Sequence, residues 1–170
     1  MEKKLRKLLS GGKFSGVSAE RSQAMRAVRG RGNKTTENRL RSGLAKNGIR
    51  GWKVHQPGIP GNPDFVFPQL KVAIFVDGCF WHGCPSCGHI PKTNSTYWAA
   101  KIASNRGRDK TNSIRLRMEG FRVLRIWEHS LRRDTSECVR KIQLLLKDAL
   151  RLRSPNRDRL IPDATVEVSK

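Results

Sequence analysis

Three cysteines lie within nine residues of one another, at Cys79, Cys84 and Cys87. Two residues separate Cys84 from Cys87, a spacing that lets both thiolates approach one tetrahedral metal ion from a tight turn. Cysteines in a reducing compartment, where we expect this chain, rarely form disulfides. The cluster therefore predicts a structural zinc site, with a metal-free group of reduced cysteines as the alternative.

A closed zinc site needs a fourth ligand, for which the sequence offers His89, His129 and Cys138. Cys138 lies on the apolar face of the last predicted helix, where a free cysteine packs as a small hydrophobic side chain. His89 is so close to Cys87 that joint chelation would strain the loop. Because His129 follows a predicted strand that can return to the loop, we predict His129 as the fourth ligand.

Two aspartates mark the ends of predicted strands. Asp64 follows Pro63 at the start of one strand, where its carboxylate can project into a cleft, and Asp77 ends the next strand. Mg²⁺ takes one or two protein carboxylates and fills its other positions with water and phosphate, so one well-placed aspartate is chemically sufficient. If the two strands are neighbours, Asp77 is a second or an outer-shell ligand. A Pro-Asp pair is also typical of a simple turn, and that alternative stays open.

His82 lies three residues after Cys79, in a loop that a zinc ion would hold rigid. A general base needs such a position if it is to hold a water molecule in line with a phosphorus atom. The alternative is that His82 is itself the zinc ligand. Glu37, in the first turn of a predicted helix, either stabilises the helix N-terminus or supports the metal and the base.

The elements that would position these residues alternate between helices and strands. Apolar periodicity and capping residues predict a helix over 18–28 and a second helix from Thr35 or Thr36 to Asn47, with Leu40 and Leu44 on one face. Three extended segments follow, over 52–55, 64–67 and 71–76. The last is almost entirely apolar, as in a strand that is buried on both faces.

A polar helix is predicted over 96–119, interrupted near Gly107, and a strand follows over 121–127. A final helix places Cys138, Ile142, Leu145 and Ala149 on one stripe. This order predicts an α/β fold in which helices flank a mixed β-sheet. We expect one domain over 18–152, a flexible basic arm over 1–17 and a flexible tail over 153–170.

The chain carries 35 Lys and Arg against 14 Asp and Glu, a net charge of +21. This excess predicts a polyanionic partner, and nucleic acid is the first candidate. A membrane surface is less suitable, because the basic residues are spread over the whole length and no apolar run is long enough to span a bilayer. The apolar stretch before Gly11 is too short for a secretory signal, so we expect a cytoplasmic protein.

Five short motifs are spread over the predicted domain: TENRL at 36–40, PDFV at 63–66, DGCFWHGC at 77–84, YWAAKI at 97–102 and WEH at 127–129. Together they resemble the very-short-patch mismatch repair endonuclease family, Vsr. The resemblance implies a restriction-endonuclease-like fold that nicks double-stranded DNA on the 5′ side of the thymine in a T:G mismatch, where 5-methylcytosine has been deaminated. We expect a monomer, with mismatch-repair proteins as further partners.

The resemblance also implies roles for individual residues. In this family pattern Asp64 binds the catalytic Mg²⁺, His82 is the general base and Glu37 supports it. Zn²⁺ is the structural ion. Taken with the chemistry above, these roles predict hydrolysis of one phosphodiester bond.

DNA contacts are implied for a second set of residues. Phe80, Trp81 and Trp98 would wedge between bases, which suits consecutive aromatic side chains on a polar, glycine-rich loop. Core packing is the alternative for Trp98. The remaining implied contacts are a minor-groove wedge and two helix residues that face the DNA, namely Met25, Lys101 and Asn105.

Three features depart from the expected patterns. Asp77 is followed by Gly-Cys, so the lysine of the D/E-x-K motif of this fold is absent and His82 has to activate the water. Where some relatives have His in the zinc loop and Cys after the WE pair, this chain has Cys84 and His129, an exchange of ligand types. Some relatives have His at the position of Asp77, whose role at the metal stays open.

Two other functions are consistent with the sequence. One is a zinc-stabilised DNA-binding module without catalysis, and the other is a related nicking endonuclease in defence or mobility. An Asp64→Ala variant that loses nicking but keeps binding would exclude the first. A comparison of T:G and fully paired duplexes of one sequence would separate repair from defence.

Overall fold

A mixed sheet organises the part of the chain that the structure describes. The computed structural model describes residues 2–9, 11, 14, 16–18, 20, 23 and 36–153. Within these residues the strands are β1 (Lys53–Val54), β2 (Phe65–Phe67), β3 (Val72–Asp77) and β4 (Arg122–Trp127), and they lie side by side in that order. The first three strands are antiparallel neighbours, whereas β3 and β4 are parallel.

The helices lie before, between and after these strands. They are α1 (Glu2–Arg6), α2 (Glu37–Lys46), α3 (Ser95–Met118), α4 (Glu128–Arg133) and α5 (Thr135–Arg153), and a 3-10 turn (Pro68–Leu70) joins β2 to β3. A parallel pair of strands needs a long crossover connection, and α3 provides it between β3 and β4. None of the described helices is both long enough and apolar enough to span a membrane.

Both faces of β3 are covered, which explains its run of apolar residues. Val72 and Ile74 belong to the larger core, which also contains buried side chains of α2 and α5. Ala73 and Phe75 point to the opposite face, where they pack with Leu116 of α3. Because successive residues of a strand alternate between faces, a strand between two helical layers must be apolar at nearly every position. The predicted α/β class is confirmed, and the arrangement is that of a restriction-endonuclease-like fold.

Helix α2 confirms the sequence expectation for this region. It begins at Glu37, directly after Thr36, and its two buried residues are Leu40 and Leu44. It ends at Lys46, where the following Asn47-Gly48 pair includes a glycine with φ of 68°. A left-handed residue just past the last turn is a common helix terminator. The helix predicted over 18–28 lies almost entirely outside the described residues.

Helix α3 corrects one prediction. It continues without a break from Ser95 to Met118, so the interruption expected near Gly107 is wrong. A glycine inside a helix costs only about 1 kcal/mol relative to alanine. Packing of α3 residues such as Ile102 and Leu116 in buried positions outweighs that cost.

The C-terminal helical region also differs in detail from the prediction. Asp134 separates α4 from α5. Cys138, Ile142 and Ala149 are buried as expected, whereas Leu145 is only partly buried against the core. In the N-terminal region, α1 is helical and Leu9 is buried. The flexibility of residues 1–17 and 153–170 stays a prediction.

Candidate active site

A cleft of about 860 Å³ opens at the edge of the sheet where β2 begins and β3 ends. The antiparallel register pairs Phe65 with Ile74, so the residues just before β2 lie beside the end of β3. The ionisable residues that line this cleft are Glu37, Asp64, Asp77, His82, Lys101, Arg108, Asp109, Arg125 and Glu128. The cleft thus contains the three residues predicted to be catalytic.

Asp64 lies directly before β2 and is anchored to β3. Its Oδ2 accepts a hydrogen bond of 2.7 Å from the backbone N–H of Val76. Burial raises the pKa of the Asp64 carboxyl from 3.8 to about 6, and the negative charges of Glu37 and Asp77 act in the same direction. A half-buried carboxylate whose charge is disfavoured is a natural ligand for a cation, because the cation restores the ionised form.

Asp64 also belongs to a group of three possible metal ligands. Ligand atoms of Glu37, His55 and Asp64 all lie within 4.8 Å of one another, and His55 Nε2 is 3.2 Å from Glu37 Oε2. The register of β1 and β2 pairs Val54 with Phe65, so the next position on each strand brings His55 beside Asp64. Sequence reasoning missed His55, although its position at the end of a predicted strand was an available signal.

His82 lies in the loop after β3 and is held by helix α3. Its Nδ1 is 2.6 Å from Oδ2 of Asp109 and 3.8 Å from Oδ1 of Asp77. Burial acts to raise the pKa of Asp109, but the hydrogen bond with His82 and the charge of Arg125 lower it below its usual value. A carboxylate in this position fixes the orientation of the imidazole ring. Asp109 was not predicted from the sequence.

Asp77 and Arg125 form a two-pronged ion pair between the parallel strands. The Nε and Nη2 atoms of Arg125 each donate to one Asp77 oxygen at 2.6 Å. Burial acts to lower the pKa of Arg125, but the bond to Asp77 raises it above its usual value. Arg125 also lies 3.4 Å from Asp109. Both oxygens of Asp77 are therefore engaged, and Asp77 lies outside the group formed by Glu37, His55 and Asp64.

Arg125 was also missed. The signal was a charged residue inside the apolar strand sequence RVLRIW, which usually indicates a buried partner. Its side chain lies over the ring of Phe75, 4.6 Å from the centroid. Phe75 is also the residue that pairs with Arg125 in the register of the parallel strands β3 and β4.

The three clustered cysteines converge on His129. The Nδ1 atom of His129 lies 3.3 Å from Cys79 Sγ, 3.5 Å from Cys84 Sγ and 3.4 Å from Cys87 Sγ. Three thiolates and one imidazole form a donor set that suits a closed tetrahedral zinc site. The structure thus brings the four predicted residues together, and His82 lies outside this cluster. Zinc binding by these four residues stays a prediction.

The parallel strands explain why the loop and His129 meet. Asp77 pairs with Trp127 at the ends of β3 and β4, so the residues that follow each strand leave the sheet together. Cys79 continues from β3, and His129 stands in the first turn of α4. Cys138 is buried in the core with α5 and is not a member of the cluster, as predicted.

Aromatic residues form a group beside the cleft. Ring centroids lie 5.1 Å apart for Phe80 and Trp81, 5.2 Å for Phe80 and Trp98, and 6.0 Å for Trp81 and Trp98. All three side chains are only partly buried. Two further rings contact Trp98, those of Phe14 and Tyr97. Trp81 of this group also lines the cleft.

The remaining residues predicted to contact DNA have different surroundings. Lys101 lines the cleft. Asn105 is 8% exposed, and its amide donates to the backbone oxygen of Trp81 at 2.9 Å. Asn105 thus holds the aromatic loop in place, and its direct contact with DNA stays a prediction. Met25 lies outside the described residues.

Comparison with known proteins identifies the family. A sequence model of the DNA mismatch endonuclease Vsr family matches residues 17–88. The type II nicking enzyme V.NaeI of Lentzea aerocolonigenes is 44% identical over 127 residues, which cover 72% of this chain and 76% of that enzyme. The type II nicking enzyme V.XorIIP of Xanthomonas oryzae is 41% identical over 118 residues, which cover 68% of this chain and 85% of that enzyme.

A further relative carries the family's own description. The DNA mismatch endonuclease Vsr of Escherichia coli K12 is 40% identical over 116 residues, which cover 67% of this chain and 72% of the relative. The residues matched by the family model, 17–88, include the three clustered cysteines and the cleft residues before them. The chain therefore belongs to the DNA mismatch endonuclease Vsr family and is a DNA endonuclease.

Proposed function

We propose that this endonuclease nicks one strand of double-stranded DNA on the 5′ side of the T in a T:G mismatch, which starts the repair of deaminated 5-methylcytosine. One observation carries the proposal: Asp64 and the pair of His82 with Asp109 line the same cleft, together with Trp81 of the aromatic group. Family membership supports mismatch cleavage, and the names of the relatives support nicking of one strand.

The divalent cation of the reaction would be held at Asp64 with the support of Glu37, and we propose Mg²⁺ as that cation. The close approach of Glu37, His55 and Asp64 fits such an ion. When bound there, a divalent cation supplies positive charge to the scissile phosphate and to the oxygen that leaves. Zn²⁺ would be held by Cys79, Cys84, Cys87 and His129, where it stabilises the loop that carries His82.

His82 is the proposed general base. Because Nδ1 faces the Asp109 carboxylate, the proton of the neutral ring is held on Nδ1, and Nε2 is the nitrogen that can accept a proton. Nε2 takes the proton of the attacking water as the new P–O bond forms and the bond to the leaving oxygen breaks. Asp109 then stabilises the imidazolium. Arg125 contacts both Asp77 and Asp109, and this contact keeps Asp109 in position.

The aromatic group is the proposed sensor of the mismatch. Phe80, Trp81 and Trp98 would enter the base stack, and a T:G wobble pair yields more easily than a correct pair. Lys101, Asn105 and Met25 would add contacts with the DNA. The net charge of +21 provides general affinity for the phosphate backbone, and this affinity should weaken steeply with salt.

We propose a monomer that works on DNA in the cytoplasm, in which one chain supplies the residues of both predicted sites. Residues 18–152 are the proposed catalytic domain, and the basic arm and tail on either side remain available for DNA or for mismatch-repair proteins.

The direct test uses duplexes of one sequence, one with a T:G pair and one fully paired, each labelled on one strand at a time. With Mg²⁺ we expect a single nick on the T strand, directly 5′ of the T, and none on the paired duplex. Asp64→Ala should abolish the nick and keep binding. Equal nicking of both duplexes would indicate a defence enzyme, and binding without any nick would indicate a DNA-binding module.

A further inference from the structure

We infer that His55 is a ligand of the active-site cation, as the nitrogen donor next to Glu37 and Asp64, and that it makes this site bind first-row transition ions such as Mn²⁺ much more strongly than Mg²⁺. This inference rests on the proposed function, since it concerns the cation of that same site. Its consequence is that the cation available to the enzyme would change its activity.

The distances support a shared ion. Nε2 of His55 lies 3.2 Å from Oε2 of Glu37, and both lie within 4.8 Å of a ligand oxygen of Asp64. Adjacent ligands of an ion with bonds of about 2.1 Å are roughly 3 Å apart. The pair of His55 and Glu37 already has about that separation, and a closer approach of the Asp64 carboxylate, from within 4.8 Å, would complete the set.

The backbone directs His55 toward this position. His55 follows β1 with a φ of 46°, in the left-handed region that residues with a Cβ seldom adopt. The strand register brings it beside Asp64, and its side chain is 26% exposed while that of Glu37 is 12% exposed. An unfavourable backbone conformation that aims a polar side chain at a partly buried acidic pair is typical of a functional site.

The other ionisable residues near Asp64 are less suited than His55 to bind the same cation. Both oxygens of Asp77 accept hydrogen bonds from Arg125, and Asp77 is not in the group of possible metal ligands around Asp64. Among the described residues, the two groups close enough to share an ion are the cysteine cluster and the group of Glu37, His55 and Asp64. The donors beside Asp64 are therefore one carboxylate and one imidazole.

The donor set has a chemical consequence. Mg²⁺ is a hard ion that favours oxygen ligands and retains water, whereas an imidazole nitrogen adds affinity for first-row transition ions. The competing explanation is that His55 only forms an ion pair with Glu37. In that case its removal would change the binding of Mn²⁺ and Mg²⁺ equally.

The experiment uses the full-length protein with its zinc retained and no chelator. Mn²⁺ is titrated and free Mn²⁺ is counted by electron paramagnetic resonance, and pulsed measurements record coupling to a directly bonded ¹⁴N nucleus. We expect one such nitrogen in the wild type. His55→Gln should lose this coupling and bind Mn²⁺ about 10-fold or more weakly, with a change of no more than about 3-fold for Mg²⁺ in competition.

Two further variants make the test specific. His82→Gln should retain the ¹⁴N coupling, because His82 lies with Asp109 and not in the group of three. His55→Asp should bind both ions and lack the coupling, since an oxygen donor replaces the nitrogen. Thermal unfolding of each variant shows that it is folded.

Retention of the ¹⁴N coupling in His55→Gln, or an equal loss of Mn²⁺ and Mg²⁺ affinity, would overturn the inference. So would Mn²⁺ binding that is unaffected by Asp64→Asn. None of these outcomes depends on nicking. Failure of the wild type to prefer T:G duplexes would instead count against the proposed function, with the ligand measurements unaffected.

Discussion

His82 Nδ1 lies 2.6 Å from Asp109 Oδ2, although the two residues are 27 positions apart in the chain. The contact joins the loop after β3 to the middle of α3, which crosses over from β3 to β4. Asp109 in turn lies 3.4 Å from Arg125 of β4. The position of the imidazole thus depends on three elements that meet at one edge of the sheet.

Replacement of Asp109 tests this contact. Asp109→Asn keeps an oxygen that can accept a hydrogen bond but removes the charge that stabilises the imidazolium, so we expect kcat for nicking to fall about 10- to 100-fold. His82→Ala should cost about 100- to 10,000-fold. Affinity for the duplex should change little in both variants. Asp148→Asn, an exposed position of α5, is the matched control. An unchanged kcat in Asp109→Asn would contradict the assignment.

The pKa of Asp64 predicts a pH dependence of stability. Since burial raises this pKa from 3.8 to about 6, the folded state disfavours the ionised form. The contribution of Asp64 to stability is greatest below pH 4 and is lost as the pH rises through about 6. Asp64→Asn should therefore raise the free energy of unfolding at pH 7.5 by up to about 3 kcal/mol.

Denaturant unfolding of the zinc-containing protein without Mg²⁺ measures this difference. The gap between wild type and Asp64→Asn should narrow as the pH falls below 6. Addition of Mg²⁺ should stabilise the wild type and not the variant, because the ion binds the ionised carboxylate. A variant that is no more stable than the wild type at pH 7.5 would show that the charge of Asp64 is not disfavoured in the fold.

The ion pair of Asp77 and Arg125 predicts that the effects of replacing these two residues on stability depend strongly on each other. The two side chains are 6% and 25% exposed, so removal of one partner leaves a largely buried charge. Arg125→Met should destabilise the protein by about 3 kcal/mol or more. In Asp77→Asn/Arg125→Met the loss should be smaller than the sum of the single losses. Chemical denaturation of the wild type, Asp77→Asn, Arg125→Met and the double variant completes this double-mutant cycle. Strictly additive losses of stability would argue against an interaction between the two side chains.

The cysteine cluster predicts one zinc ion per chain. Cys87→Ser should lose the zinc and lower the melting temperature by about 10 °C, which corresponds to a loss of roughly 3 kcal/mol. Elemental analysis and thermal unfolding measure both effects. Cys138→Ala is the control, because Cys138 is buried in the core and lies outside the cluster. It should keep its zinc, and loss of zinc from this control would mean that the ligand set is different.

Replacement of Trp81 in the aromatic group should reduce discrimination between T:G and fully paired duplexes. Trp81→Leu should weaken binding to the T:G duplex by about 1–3 kcal/mol and affect the fully paired duplex much less. Fluorescence of a base analogue next to the mismatch should report less unstacking. Ile90→Ala changes an exposed apolar residue close to the zinc loop and is the control. Equal losses of affinity for both duplexes would indicate that Trp81 stabilises the loop and does not sense the mismatch.

Local patterns in the sequence predicted most of the elements and the three cysteines that lie together in the loop. The alternation of faces makes β3 apolar along its length, and C-x2-C spacing brings two thiolates together without help from the rest of the chain. Asp64 and His82, which both line the cleft, were predicted in the same way, from their places at a strand end and in the cysteine-rich loop. Periodicity alone could not show that Gly107 would be tolerated inside α3, because packing against the sheet decides this.

The tertiary structure decided which side chains act on one another. His55 meets Asp64 through the register of β1 and β2. Asp109 meets His82 because one side of α3 lines the cleft, and Arg125 meets Asp77 through the pairing of the parallel strands β3 and β4. Register, crossing and strand direction follow from burial of the whole core, and no short segment encodes them. The sequence alone therefore determined which residue types could bind metal ions or transfer protons. The packing of distant segments determined which of these side chains contact one another.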